Sequence, residues 1–300
     1  MTRIRLLGLT LFYSIAIFSQ NSPITAGNTS EAQTPSQTIL LTVETASPVS
    51  VSSTDVLVSV DKKPFAPVSK LESASAAPLD FILVVDSSSS AVRSKLRTTA
   101  LVEVPKFITT VRNSGITVRT AVVDFNAASR VVQNFTSDSI ESSFERLSSG
   151  GGSTLHDSLS LAARLAQQSP ASNRRIILVV TDGEDNLSST TADEVVKAAT
   201  RACSPIYALS LGEPPAQYAP LSGRGDKFLK EVSAQTGGKA YFPTKEKQVA
   251  EVLEAIRSDM QMQYFATVAA PTNKRGFHQV QFKTSVAHGT VRGATAMTNE

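Results

Sequence analysis

The chain has 300 residues, 41% hydrophobic and 18% charged, enough to bury a sizeable core and to form one large domain with appendages. Its 29 Lys and Arg nearly balance 26 Asp and Glu, leaving a net charge of +3 that is too small and too dispersed, with no basic run, to argue for a nucleic-acid partner. One cysteine rules out an internal disulfide, and the absence of tryptophan argues against a stacking platform for sugars or single strands.

The N-terminus predicts export. Arg3 and Arg5 precede the apolar run Leu6 to Phe18, which is shorter than the roughly 20 residues a membrane-spanning helix needs. Residues 1–26 therefore read as a signal peptide or, alternatively, an uncleaved N-terminal anchor, with Ala26 at the cleavage point. Residues 27–37 read as a polar linker rich in Ser, Thr, Pro, Asn and Gln. The segment 38–75 changes to short alternating runs, Thr38 to Val43 and Val56 to Val60, the second closed by a turn at Asp61-Lys62-Lys63-Pro64. A further strand is expected at Val68 to Leu71, giving a small β segment.

From 79 to 262 strands and helices alternate, the signature of a mostly parallel sheet covered on both faces. Phe81 to Val85 is an unbroken apolar strand, and a helix is expected over about Ala91 to Arg112, kinked or broken at Pro105. Val118 to Phe125 predicts a strand with a hairpin partner near Arg130 to Phe135, and Leu155 to Gln167 a helix. Arg175 to Val180 is the second core strand, followed by a helix at Thr191 to Ala202 and a strand at Pro205 to Leu211. Cys203, just before that strand, reads as a buried small hydrophobe. A helix at Phe228 to Gln235 stops at Gly237-Gly238, and a short strand at Lys239 to Phe242 leads to a helix over Lys245 to Gln261. Residues 263–300 form a C-terminal β segment, with Tyr264 to Ala269 and His278 to Thr284 expected as an antiparallel pair. The fold class is thus α/β: a doubly wound, mostly parallel central sheet with helices on both faces, plus small flanking β segments.

Two core strands end in loops of acids and hydroxyls, Asp86-Ser87-Ser88-Ser89-Ser90 and Thr181-Asp182-Gly183-Glu184-Asp185. Between them Gly150-Gly151-Gly152-Ser153-Thr154 approaches a helix. In a parallel sheet the carboxyl ends of the strands lie along one edge, so the topology can bring the three together. Mg²⁺ takes hard oxygen ligands at about 2.0–2.1 Å and keeps several waters. Neutral hydroxyls of Ser88, Ser90 and either Ser153 or Thr154, with Asp86 and Asp182 acting mainly through water, leave such an ion under-neutralised and able to take an outside carboxylate.

These residues resemble the metal-ion-dependent adhesion site of von Willebrand factor A domains, whose pattern is Asp-x-Ser-x-Ser, a threonine before a central helix, and an aspartate in Thr-Asp-Gly. Asp86, Ser88, Ser90 and Asp182 match it. The threonine position departs from it, since the register puts Ser153 there and Thr154 one residue late. The resemblance covers about residues 80–265, and Thr236-Gly237-Gly238-Lys239-Ala240-Tyr241-Phe242-Pro243 is similar to a stretch in an exported, acidobacterial-type subgroup. It implies one bound Mg²⁺ (or Mn²⁺ or Ca²⁺), a protein partner presenting an Asp or Glu, and a periplasmic, cell-envelope or extracellular location. It implies no catalytic residues. The alternatives are a metal-free scaffold of the same fold and a metal-dependent hydrolase. The hydrolase loses ground because Ser88 stands where a two-aspartate phosphatase needs its second acid, no Gly-x-Ser-x-Gly elbow occurs, and His156, His278 and His288 lack zinc spacing. Arg224-Gly225-Asp226 reads as a loop tripeptide, a turn ahead of a helix capped by Asp226.

Overall fold

The computed structural model describes residues 36–45, 49–212, 224–271 and 275–299. The expected export signal and the linker as far as residue 35 lie outside them. Strands β1 (Ser36–Glu44), β2 (Val56–Val60), β3 (Ala66–Pro67) and β4 (Lys70–Ser73) come first. The α/β region follows as β5 (Leu79–Asp86), α1 (Lys95–Asn113), β6 (Val118–Phe125), β7 (Ser129–Thr136), α2 (Leu155–Gln167), β8 (Arg174–Thr181), α3 (Ala192–Arg201), β9 (Ile206–Ser210), α4 (Arg224–Thr236), β10 (Ala240–Tyr241) and α5 (Lys247–Gln261). Strands β11 (Gln263–Ala269), β12 (Gly276–Thr284), β13 (Thr290–Arg292) and β14 (Ala296–Asn299) close the chain.

The central sheet has the order β10-β9-β8-β5-β6-β7, parallel except for β7, which pairs antiparallel with β6. Every residue of β5 is buried because helices cover both faces of the sheet. Alternation sorts its side chains between them. Phe81, Leu83 and Val85 join a core with Val104, Phe107 and Ile108 of α1 and Leu253 and Ile256 of α5. Ile82 and Val84 face the other core with Leu155 and Leu159 of α2, Val195 of α3 and Leu229 of α4. The chain runs from β5 outward through β6 and β7, then returns through α2 to β8 on the other side of β5. The carboxyl ends of β5 and β8 therefore form the switch point, where ligands of such sheets bind.

Helix α1 differs from the expectation at Pro105. A single 3₁₀ turn holds Ala91–Arg93, the α-helix proper starts at Lys95, and it continues unbroken through Pro105 to Asn113. Pro105 is among the buried residues of α1, and that burial offsets the backbone bond its missing N–H cannot make. Helix α3 starts as the sequence suggests, with Thr191 and Glu194 forming a reciprocal capping box. Helix α4 starts earlier than expected and takes in the tripeptide 224–226, so that segment is the first turn of a helix rather than a loop.

The flanking β segments are not separate units. Strand β11 pairs with β1 and β4, and β12 pairs with β2 and β14, so the expected antiparallel pair of β11 with β12 does not form. The two four-stranded sheets, β13-β1-β11-β4 and β14-β12-β2-β3, share an apolar core that includes Ile39, Leu41, Val56, Val58, Val268, Val280 and Met297. Cys203 is half-buried, and its thiol donates to the carbonyl of Thr38 in β1 at 3.1 Å. His278 is buried, its Nδ1 2.7 Å from Asp61. Among the described residues no helix is long and apolar enough to cross a membrane.

Candidate metal centre

Three loops meet at the switch point, stitched by main-chain bonds. Asp86, the last residue of β5, is fully buried. Its Oδ1 accepts the Ser88 N–H at 2.9 Å and its Oδ2 the Thr181 hydroxyl at 2.6 Å, which ties the β5 loop to the end of β8. The glycine run docks on the first loop: the Gly150 N–H donates to the Ser87 carbonyl and the Ser89 N–H to the Gly151 carbonyl. It docks on the third loop as well, because the N–H groups of Asn186 and Leu187 both donate to the Ser153 carbonyl. The third loop in turn caps α2. The Asp185 carboxylate accepts the His156 N–H at 2.7 Å, and the Ser188 hydroxyl accepts the Asp157 N–H at 3.0 Å, satisfying donors that the first helical turn leaves open.

A cavity of about 230 Å³ opens between the loops, lined by residues that include Ser88, Ser90, Gly151, Ser153, Glu184 and Asn186. The hydroxyls of Ser88 and Ser90 stand 3.3 Å apart. Ser153 lines this cavity and its hydroxyl donates to the Glu184 carbonyl at 2.6 Å. Thr154 does not line it: its hydroxyl donates to the Asn126 carbonyl at 3.1 Å and lies 2.8 Å from that of Ser129. Asp182 is buried, with Oδ1 accepting the Glu184 N–H at 3.1 Å and Oδ2 left without a partner.

Two residues at the cavity escape a reading by motif. Glu184 carries a second buried, unpartnered oxygen, Oε1, and Asn186 orients Ser153 by accepting its N–H at 2.9 Å. Glu184 sits in the acidic run after Thr181, which was the available signal, whereas nothing in local sequence marks Asn186. Arg97 of α1 is the nearby cation. It donates from Nε to the Asp86 carbonyl at 2.6 Å and from a terminal nitrogen to the Ser87 hydroxyl at 2.9 Å.

The electrostatics follow from burial. Loss of water, then the charge of Asp182, pushes the Asp86 carboxyl up to about 7. Glu184 is also raised, first by burial and then by Asp182. Burial lowers Arg97, whose charge the Asp86 carboxylate supports. Two orphaned carboxylate oxygens beside a cluster of neutral hydroxyls fit a hard divalent cation, which would satisfy groups that are otherwise costly to bury. Among the described residues no group of three or more His, Cys, Asp or Glu is placed to hold a metal, so such a site depends on its hydroxyls.

The rim beside this cavity is shaped by one close approach. Gly183, at φ +84°, lies so near Gly225 that a Cβ on Gly225 would fall 2.6 Å from the Gly183 carbonyl carbon. The first turn of α4 thus rests directly on the Asp182 loop. A second cavity of about 360 Å³ opens there, with His156, Glu184, Arg224, Lys227 and Phe228 among its walls. Leu187, on the same rim, is 52% exposed.

Residues 81–184 match the family model described as von Willebrand factor type A domain. No curated protein matches the chain. Among solved structures it is similar to a von Willebrand factor type A protein from Catenulispora acidiphila, at 13% identity over 90% of this chain and 75% of that one, TM-score 0.48. It is also similar to the D319A mutant of the PilB minor pilin from Streptococcus sanguinis, at 13% identity over 62% of each chain and TM-score 0.49, so it spans 62% of that pilin's length. An aerotolerance-related membrane protein from Bacteroides fragilis matches at 17% identity over 61% of this chain and 98% of that one, TM-score 0.46.

Proposed function

We propose that the carboxyl edge of the central sheet, in a chain whose residues 81–184 match the family model described as von Willebrand factor type A domain, is a cation-dependent protein-binding site. Asp86, Ser88, Ser90, Ser153 and Asp182 would hold one Mg²⁺ or Mn²⁺. A bound cation supplies positive charge that these ligands leave partly unquenched, and a partner's Asp or Glu completes its shell. The observation that carries this reading is the pair of buried acids: Asp182 has an oxygen with no partner, and Asp86 is pushed upward by burial and by Asp182. Ser153 is the third hydroxyl in preference to Thr154, because it lines the cavity with Ser88 and Ser90. Leu187 and the cavity beside α4 would contact the partner around the metal. Export to the cell envelope or beyond belongs to the same reading and rests on Arg3, Arg5 and the apolar run after them.

The rival is a metal-free scaffold of the same fold. It is favoured by one observation: the Ser153 hydroxyl and Asp86 Oδ2 already have partners within the protein, in Glu184 and Thr181. Titration of Mg²⁺ or Mn²⁺ into the purified chain, followed by its melting temperature, separates the two. A cation that binds only the native state stabilises it, by about 2.7 kcal/mol at a hundredfold excess over its Kd, and so raises the midpoint with concentration. Asp86→Ala is expected to abolish that rise. An unchanged midpoint in the parent chain hands the site to the metal-free scaffold.

A further inference from the structure

A cavity of about 640 Å³ lies away from the three loops, where the α/β region meets the two flanking sheets. Its walls include Lys239 and Ala240 around β10, Lys230 of α4, Phe282 and Lys283 of β12, Arg292 of β13, and Phe65. It shares no residue with the candidate metal centre. Gly238, also in its wall, packs against the main chain of Ile206, the first residue of β9, so the cavity opens at the end of the sheet opposite Asp86 and Asp182.

Its charge is lopsided. The lining carries four cationic side chains and one carboxylate, Glu44. Arg292 is held by Glu44 at 2.8 Å and Asp259 at 2.7 Å. The three lysines are held otherwise. Some described lysines elsewhere pair with acids close by in sequence, as Lys106 does with Glu103, Lys197 with Asp193 and Lys227 with Glu231. In the cleft, Lys283 Nζ lies 4.3 Å from the centre of the Phe65 ring, Lys230 Nζ 4.7 Å from that of Phe242, and Lys239 Nζ 5.7 Å from that of Tyr241. A ring face orients an ammonium without neutralising it, so the positive charge is left for a ligand. The shape adds a second condition. Strands β10 and β13 each end their sheet in the described order, and both contribute to the walls. An unpaired strand edge is a template for another extended chain, whose alternate side chains enter the pockets beside it.

We propose that this cleft binds an extended, acidic segment of a partner protein. Carboxylates on one side of that segment would meet Lys230, Lys239 and Lys283, while its alternate apolar side chains would contact Phe65 and Phe282. Binding here needs no metal and is independent of the site at Asp86. The test uses the full chain in EDTA and a fluorescein-labelled peptide of alternating Glu and Val, read by anisotropy. The expected result is saturable binding that weakens roughly tenfold or more in the double variant Lys239→Glu, Lys283→Glu. The double variant Lys106→Glu, Lys247→Glu, with the same change in net charge elsewhere on the surface, should bind as the parent does. Any of three results overturns the proposal: no saturable binding, equal weakening in both double variants, or displacement by polygalacturonate as effective as by unlabelled peptide. The last would assign the cleft to a polysaccharide instead.

Discussion

Ser153 and Thr154 are neighbours with different tasks, which places the sharpest prediction at the scale of one residue. Ser153→Ala should weaken Mg²⁺ binding about 10–100-fold with a small effect on the fold, as loss of a ligand or its support does. Thr154→Ala removes a hydroxyl bonded to Asn126 and close to Ser129. It should cost about 1 kcal/mol of stability and leave the Mg²⁺ midpoint shift unchanged. Calorimetric titration of both variants decides between them, and the reverse pattern would make Thr154 the ligand. Asp86 adds a pH test. Its folded value is raised above that of the unfolded chain, so the proton it binds favours the native state at low pH. That contribution disappears as pH rises from about 4 through about 7, at up to about 1.4 kcal/mol per unit. In EDTA, Asp86→Asn should therefore be progressively more stable than the parent from pH 5 to pH 8. With Mg²⁺ present the order should invert, because only the parent can use the ionised carboxylate. Urea melts at the two pH values read both effects.

At the scale of elements, α4 and the third loop depend on each other. The Gly183 and Gly225 backbones are in contact, and a Cβ on Gly225 would meet atoms of Gly183 at 2.6 and 2.7 Å. Gly225→Ala must push the first turn of α4 away or displace the loop that carries Asp182 and Glu184. The expected cost is about 1–3 kcal/mol, typical of overpacking, together with a weaker response to Mg²⁺. A loss of stability with the metal response intact would show that the loop holds its shape without α4. The same contact accounts for the helical state of 224–226, where a loop was expected. Local sequence offers a turn with a glycine and a capping aspartate, while the approach of the Gly183 backbone makes glycine necessary inside a helical turn. Pro105 follows the same logic, since burial carries α1 through a residue that would break an isolated helix.

Across the whole molecule, Arg174 joins the α/β sheet to the flanking strands. It begins β8, is fully buried, and donates to the carbonyls of Ser75 at 3.1 Å, Ala77 at 3.3 Å and Met260 at 2.9 Å. Burial lowers its guanidinium to about 10, and those acceptors hold it in place. Arg174→Met should leave several buried carbonyls unpaired, each costing about 1–3 kcal/mol, and Arg174→Lys should rescue little because a point charge cannot reach the same fork of acceptors. Thermal melts of both variants check this. A loss below about 1 kcal/mol would mean that the joint does not rely on Arg174.

Periodicity and punctuation by themselves determined the inner architecture. An eight-residue strand buried on both faces, a hairpin beside it and helices with apolar faces at helical spacing are local consequences of composition, so β6 and α2 fall where the pattern puts them. The acids and hydroxyls at the strand ends were equally legible, because topology alone sends those ends to one edge. Tertiary structure decided what depends on distant partners. Which of two adjacent hydroxyls lines the cavity is set by Asn126 and Ser129, some 25 residues upstream in the chain. The pairing of β11 with β1 and of β12 with β2 spans the whole α/β region. The cleft between them draws its lysines and rings from four separate segments, and no local pattern encodes that meeting, because long-range strand pairing leaves no periodic trace at either end.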